Sequence, residues 1–422
     1  ITARNRHAGI SIHGQHLIVT GAGSATTLAL EGDQLGINLL GVIAIDPGAA
    51  DVTIQDLAID TSLATNTSEQ THGIQIGSGI GTGNVSDIRV ERVRFTHPLP
   101  PLGRSGDCIR LLGNPASPEV MVQRVTIIGS TFDTCARSSI SYQRNVIDLV
   151  ITGNQIIRVG DQAIDGEPSG SGKNGTITIV GNLFHEDTTD PLYQQGDYAI
   201  SIAGLPSLVS RVVVASNVFE GRGIVAALVT DFVVTGNVFD AQMEGVAGVI
   251  DLRSTAERVI VANNIVRRRG APGALVRAQH NSSGLSASRL IVSSNVLQND
   301  TAGNGIDIES AGDMTIAGNA IFWPAPSPTA IGIRLRTVAQ PADGVMIRDN
   351  RIDGVIASGI YLAAVSLPLR GASVTGNVVR GAVIGLHCLG VAAAWPEPML
   401  AGGNRWPGPP SCPQVVLMKD IP

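Results

Sequence analysis

Lysine is almost missing from this chain: of 29 basic residues only Lys173 and Lys419 are lysines, so 27 are arginines. Charged residues make up 15% and aromatics 3% of the 422 positions. That is too little charge for a surface built from amphipathic helices. No stretch comes near the roughly 18 uninterrupted apolar residues of a membrane-crossing helix. A formal net charge of −6 excludes a general nucleic-acid binder, which needs a basic stripe to release counterions. Cysteine is scarce too, and Cys108, Cys135, Cys388 and Cys412 form no CxxC pair and no Cys/His zinc spacing. Their separations, 27 and 24 residues, each match one period of the repeat described next. The pairings Cys108–Cys135 and Cys388–Cys412 are therefore geometrically plausible, with four buried thiols as the alternative. Disulfides would imply an oxidising compartment, so a secreted or periplasmic protein. The chain opens on Ile1 rather than Met, which suggests a processed or trimmed form.

What is abundant is glycine, 50 residues, and apolar residues, 43%. One pattern organises them: alternating apolar residues, a small residue, Asn, then further apolar positions. It reads LVITGNQI at Asn154, TIVGNLF at Asn182, VVVASNVF at Asn217, FVVTGNVF at Asn237 and VIVANNIV at Asn264. It continues at Asn295, Asn319, Asn350 and Asn377, with weaker copies placing Asp56, Arg92, Ser130 and Asn404 in the same slot. Successive slots lie 20 to 38 residues apart, the self-similarity of a solenoid. Period-two alternation selects strands over helices. The Asn suits a sharp turn because it tolerates the left-handed backbone region, and stacked amides can form a hydrogen-bonded ladder. Another strand follows each Asn by roughly ten to fifteen residues, as in DCIRLL, DQAIDGE, GVIDLRS, GIDIES and IGLHCLG.

Three short strands per coil and about 12–13 coils make this all-β chain resemble the pectate-lyase-like superfamily of right-handed parallel β-helices. The likeness runs from GISIHGQHLIVTGAG to the Asn404 coil. It implies one β-helix domain over residues 1–422, with 399–422 as a C-terminal cap. It also implies a carbohydrate partner, because the superfamily includes polysaccharide lyases, glycoside hydrolases, uronan epimerases and tailspikes. A shared fold does not choose among them.

In that superfamily the substrate lies along the sheet of the later strand. With Ile109, Ile164, Ile200, Ile250, Ile306, Ile333, Ile360 and Leu386 inward, alternation puts their neighbours outward. The outward set then holds Arg110, Ser141, Asp165, Glu167, Ser201, Asp251 and Arg253. It continues through Arg277, Gln279, Asp307, Glu309, Arg334, Arg336, Tyr361 and His387. Carboxylates two apart on a strand sit roughly 6.5–7 Å apart, within the span used by paired acids in glycoside cleavage. Asp165 with Glu167 is the preferred catalytic pair, with Asp251 beside it, and no arginine is expected one coil away in their column. The insertion HEDTTDPLYQQGD could bring His185, Glu186, Tyr193 or Asp197 over the groove.

Arg253, Arg277, Arg334 and Arg336 suggest an anionic substrate, with His280, Asp307 and Tyr361 as further contacts. Inter-coil ion pairs, Asp251 with Arg277, Asp307 with Arg334 and Glu309 with Arg336, are the competing explanation. Trp323, Tyr361, Tyr193 and Tyr142 are the few candidate stacking platforms, and His387 is a candidate base. Hydrolase or transglycosylase chemistry through paired carboxylates is the leading reading. A lyase or uronan epimerase using Arg, His or Tyr is the second, favoured if Asp161, Asp165 and Glu167 hold Ca²⁺. A non-enzymatic glycan-binding or tailspike-like protein, monomeric or homo-oligomeric, is the third. No other cofactor is implied.

Overall fold

The computed structural model describes residues 8–32, 41–64, 71–78, 81–97, 106–116, 119–167, 174–185, 198–203, 209–245, 247–279, 288–309, 312–338, 341–354, 356–365, 367–390, 395, 399–408, 410–412 and 415–417. The chain divides into two compact units, Ile1–Gly221 and Arg222–Pro422. Among the described residues the only helical piece is the three-residue 3-10 turn Gly23–Ala25.

In the first unit one coil consists of Val122–Ile128, Thr131–Cys135 and Ile140–Gln143. The next repeats them as Val146–Thr152, Gln155–Val159 and Ile164–Gly166. Each strand pairs in parallel with its counterpart: Val125 lies opposite Leu149, Phe132 opposite Ile156 and Ile140 opposite Ile164. The second unit repeats the scheme, with Ile306 opposite Ile333, Ile316 opposite Ile347 and Ile321 opposite Ile352. Every register between successive coils is parallel, and the fold is the right-handed parallel β-helix that alternation predicts.

Because one strand stacks on the next at a fixed register, each inward position becomes a column. Val52, Ile88, Val125, Leu149, Ile177 and Val212 follow one another inside the first unit, none more than 1% exposed. β-Branched side chains suit such a column because their restricted χ1 packs well on a pleated surface. Phe95 stacks on Phe132, centroids 4.9 Å apart, and Phe184 on Phe219, 4.5 Å apart.

The corner at each Asn carries a ladder. In the first unit Ser130 N–H donates to Asn154 Oδ1 (2.9 Å), Asn154 N–H to Asn182 Oδ1 (3.0 Å) and Asn182 N–H to Asn217 Oδ1 (2.9 Å). The second unit continues the same bond from Asn237 through Asn264, Asn295, Asn319, Asn350 and Asn377 to Asn404, each at 2.9–3.1 Å. Each amide nitrogen in turn reaches a backbone carbonyl of the preceding coil, as Asn295 Nδ2 does to Val261 O at 2.9 Å.

The conformational reason for the Asn differs from the one expected. The left-handed residue is the one before it: Gly153, Gly181, Ser216, Gly236, Asn263 and Asp349 have φ between 55° and 66°. The slot Asn is instead a buried hydrogen-bonding residue. This corrects the two weakest repeats, where Asp56 (φ 54°) and Arg92 (φ 51°) are themselves the left-handed residues. The slot falls on Leu57 and Val93, and Arg92 forks onto Asp56 outside at 2.7 and 2.9 Å.

Replacing Asn295 with Ala strips the acceptor from Asn264 N–H and Nδ2 and leaves Val261 O without its donor. An unsatisfied buried backbone group costs about 1–3 kcal/mol. Asn295→Ala should therefore lower stability by about 3 kcal/mol, read as a shift of the urea midpoint at unchanged slope.

Candidate functional site

In the first unit the outward column of the third strand runs Gln75, Arg110, Ser141, Asp165, Ser201 in consecutive register. Alternation therefore placed this column correctly, and Ile109, Ile140, Ile164 and Ile200 beneath it are fully buried. The column is recessed rather than open: Arg110 is 8% and Ser141 2% exposed.

Asp165 and Glu167 flank Gly166, and the glycine has a packing reason. It lies in register with Tyr142, whose ring occupies the space beneath it, so a Cβ at 166 would meet Tyr142 Cζ at 2.6 Å. Tyr142 thus points inward and is fully buried, not a stacking platform. Burial, then the charge of Asp165, pushes its phenol pKa up.

One coil away in the column Asp165 has serines, Ser141 and Ser201, but an arginine reaches the pair by another route. Arg137 enters from the turn before Ile140–Gln143, outside the column that alternation describes. Its Nε and Nη2 fork onto Asp107 at 2.8 Å each, and Nη2 also reaches Glu167 Oε1 at 2.8 Å. Gln143 Nε2 donates to Glu167 Oε2 at 2.9 Å. Asp107, fully buried, also accepts from Ser141 Oγ (2.6 Å) and Ser138 N–H (3.2 Å), and its own N–H donates to His72 Nδ1 (2.9 Å). Burial alone would raise the Asp107 pKa, but the charge and hydrogen bonds of Arg137 outweigh it and hold it below the usual carboxylate value. Burial works against the Arg137 cation, and the charges of Asp107 and Glu167 more than offset it. Neither Asp107 nor Arg137 was singled out from sequence; the Asp-Cys and Cys-Ala-Arg contexts were the available signal.

Asp165 is in the opposite position. It makes no hydrogen bond or ion pair among the described residues, and burial, followed by the negative charges of Glu167 and Asp107, raises its pKa to about 8 despite Arg137. One carboxyl is thus held as the neutral acid beside a second that receives two donors, the division of labour that acid–base catalysis requires. Buried side-chain atoms without a hydrogen-bond partner gather here as well: Thr71 Oγ1, Ser138 Oγ, Ser139 Oγ and Tyr142 Oη. Cys108–Cys135 is a disulfide, and it ties the segment bearing Asp107 to the segment bearing Arg137. The second disulfide is Cys388–Cys412.

The remaining candidates separate. His185 is exposed on the strand Leu183–His185, where it pairs with Glu220 one coil on, so it belongs to a different strand from the acid pair. Glu186, Tyr193, Asp197 and His280 lie outside the described residues. Asp251, in the second unit, is fully buried and accepts from Arg253 Nε at 2.9 Å, which makes it an anchor rather than a solvent-facing catalyst. Its expected partner Arg277 is its register neighbour but not its ion-pair partner. The pairs Asp307–Arg334 and Glu309–Arg336 do form. Trp323 is 5% exposed and donates to Gly303 O, so it is a packing residue. Tyr361 is half-buried and meets His387 edge-on at 5.0 Å. Among the described residues no three His, Cys, Asp or Glu side chains converge as a metal site, so Asp161, Asp165 and Glu167 do not form the Ca²⁺ cluster considered from sequence.

Between pH 3.8 and about 8 the folded chain holds a proton at Asp165 that the unfolded chain releases. The group's contribution to stability is therefore full below the lower value and is lost as pH rises through the upper one. Urea midpoints measured across this window should fall with pH in the parent chain and fall less in Asp165→Asn. Removing the 27-residue Cys108–Cys135 cross-link with serines should lower stability by about 3.5 kcal/mol on loop entropy. Thermal melts with and without the Cys388–Cys412 pair intact would isolate that effect.

No protein-family model and no curated protein matches the sequence. Solved structures do match in shape. PfbA, a surface adhesin of Streptococcus pneumoniae, is 12% identical with a TM-score of 0.51, the match covering 85% of this chain and 82% of that one. A double mutant of the tailspike protein of E. coli bacteriophage HK620 is also 12% identical at a TM-score of 0.51, covering 87% of this chain and 73% of its own. At such identity the likeness concerns the fold alone, the parallel β-helix described above.

Proposed function

We propose that the chain is a secreted glycan-active enzyme that hydrolyses a polysaccharide at Asp165 and Glu167. The observation that carries this is the pairing of a neutral carboxyl with a second carboxyl two residues along one strand. Asp165 protonates the glycosidic oxygen as the bond breaks. Glu167, oriented by Arg137 and Gln143, faces the positive charge that develops on the sugar ring and takes a proton from the attacking water. The rise of roughly 6.5–7 Å between alternate residues suits a water held between acid and base, and hence inversion at the anomeric carbon. Two disulfides in a chain without free cysteines support an oxidising, extracytoplasmic location.

The decisive assay is a panel of neutral and acidic polysaccharides, scored for new reducing ends and for the ultraviolet absorbance of unsaturated products. Reducing ends alone are expected, with kcat/KM falling above pH about 8 as Asp165 loses its proton. Asp165→Asn should lower the rate at least ~100-fold. Unsaturated products would replace hydrolysis with β-elimination, and binding without turnover would leave a glycan-binding protein.

A further inference from the structure

The second unit lines its outward column with ion pairs. Asp251, Arg277, Asp307, Arg334, Tyr361 and His387 follow one another in register. Two positions along each strand, Arg253, Gln279, Glu309 and Arg336 form the adjoining column. In each ion pair of this surface the carboxylate lies beneath and the guanidinium above. Side-chain exposure is 42% for Arg253 against 0% for Asp251, 27% for Arg334 against 9% for Asp307, and 30% for Arg336 against 13% for Glu309. Other ion pairs of the same unit vary: Arg258 and Asp231 are 44% and 41% exposed and Arg269 and Asp240 43% and 42%, whereas Arg267 and Asp300 are 45% and 19%. Solvent facing this column therefore meets guanidinium groups whose counter-charges are buried below them.

Arg277 goes further. Its register neighbours Asp251 and Asp307 are already taken by Arg253 and Arg334, and it makes no ion pair among the described residues. Gly248 lies against it, where a Cβ would stand 2.7 Å from Arg277 Cβ, so the glycine keeps the arginine where it is. The buried Arg268 fixes the adjoining turns by donating to Ala247 O (2.5 Å) and Ala271 O (3.0 Å). A half-buried arginine with no ion pair among the described residues offers its guanidinium to an anion.

We propose that this column binds an anionic polysaccharide. Arg277 takes a carboxylate or sulfate group directly, Arg253, Arg334 and Arg336 supply flanking charge, and Tyr361 offers a sugar ring its aromatic surface. The proposal deepens the reading of a polysaccharide-active protein by naming the polymer's charge, and it rests on that reading only for the claim that the bound polymer is the one cleaved.

Binding is best measured on the full chain carrying Asp165→Asn, so that nothing is turned over, by calorimetry at two salt concentrations. The probes are polygalacturonate, dextran sulfate, neutral dextran and a polyphosphate. Binding to polygalacturonate or dextran sulfate but not dextran is expected, and the stronger of the two identifies carboxylate or sulfate as the ligand group. Arg277→Gln should weaken it roughly tenfold, the scale of one charge-assisted hydrogen bond, while leaving the melting temperature unchanged because no ion pair is broken. Arg380→Gln, which removes the same charge from an exposed position on another strand of the unit, should leave affinity unchanged. The proposal is overturned by no binding to either acidic polymer, by equal binding to dextran, by equal binding to polyphosphate, or by equal losses in the two arginine variants. Hydrolysis of neutral polymers alone would also overturn it and leave the acid pair standing. Retained acidic-polymer binding without hydrolysis in the parent chain would do the reverse.

Discussion

Each coil turns a corner at its Asn, and there the backbone N–H faces neither solvent nor a neighbouring strand. A buried N–H left in that state would cost about 1–3 kcal/mol at every coil. The Oδ1 of the Asn one coil on removes that cost, and its Nδ2 is spent on a carbonyl of the coil before. The amide therefore joins coils in the axial direction at the place where the sheets are discontinuous. The residue before it must adopt positive φ, which explains why Gly, Asn, Ser and Asp fill that position. Strand register, and with it every outward column, follows from this repeated corner.

Once columns are rigid, the polarity of a surface is decided by which partner of each ion pair is buried. In the first unit the cation is sandwiched: Arg137 is 12% exposed, between a fully buried Asp107 and a Glu167 that is 22% exposed. Of the carboxyl groups here, Asp165 has neither a hydrogen-bond donor nor an ion-pair partner among the described residues. In the second unit the carboxylates are underneath and the arginines face out. The same ingredients thus leave a buried carboxyl, Asp165, in one unit and a row of outward guanidinium groups in the other.

Much of this was legible because period-two alternation is a local property. The inward isoleucines, the column order and the pairs Asp307–Arg334 and Glu309–Arg336 all follow from register alone. What alternation cannot describe is the turns. Arg137 enters the site from a turn, and the left-handed position beside each Asn is a property of the corner rather than of the strands. Aromatic residues failed for a related reason. Tyr142 was read as a platform, but Gly166 one coil on leaves a hollow that its ring fills, and such a hollow is visible only when two coils are stacked. Asp251 was correctly placed on the column, yet alternation did not tell that it is fully buried.

The interior of this fold is aliphatic, and a buried ion pair is weak evidence for stability: a hydrophobic pair of the same volume is often as good or better. The Asp107–Arg137 pair, the buried hydroxyls around it and the unpartnered Asp165 are thus departures from the folding rule that the rest of the chain obeys. They occur together, beside a disulfide that ties Asp107's segment to Arg137's. Where local rules fail jointly and a cross-link holds the failure in place, the folding requirement has yielded to another one. Burial near negative charge favours the protonated form of Asp165, while Glu167 two residues on receives hydrogen bonds from Arg137 and Gln143. Arg137 supplies a cation to Glu167 and Asp107 while its opposing effect on Asp165 is outweighed by burial and the neighbouring carboxylates. Two carboxyls two residues apart on one strand thus sit in contrasting surroundings, one buried without a donor among the described residues and the other held by two.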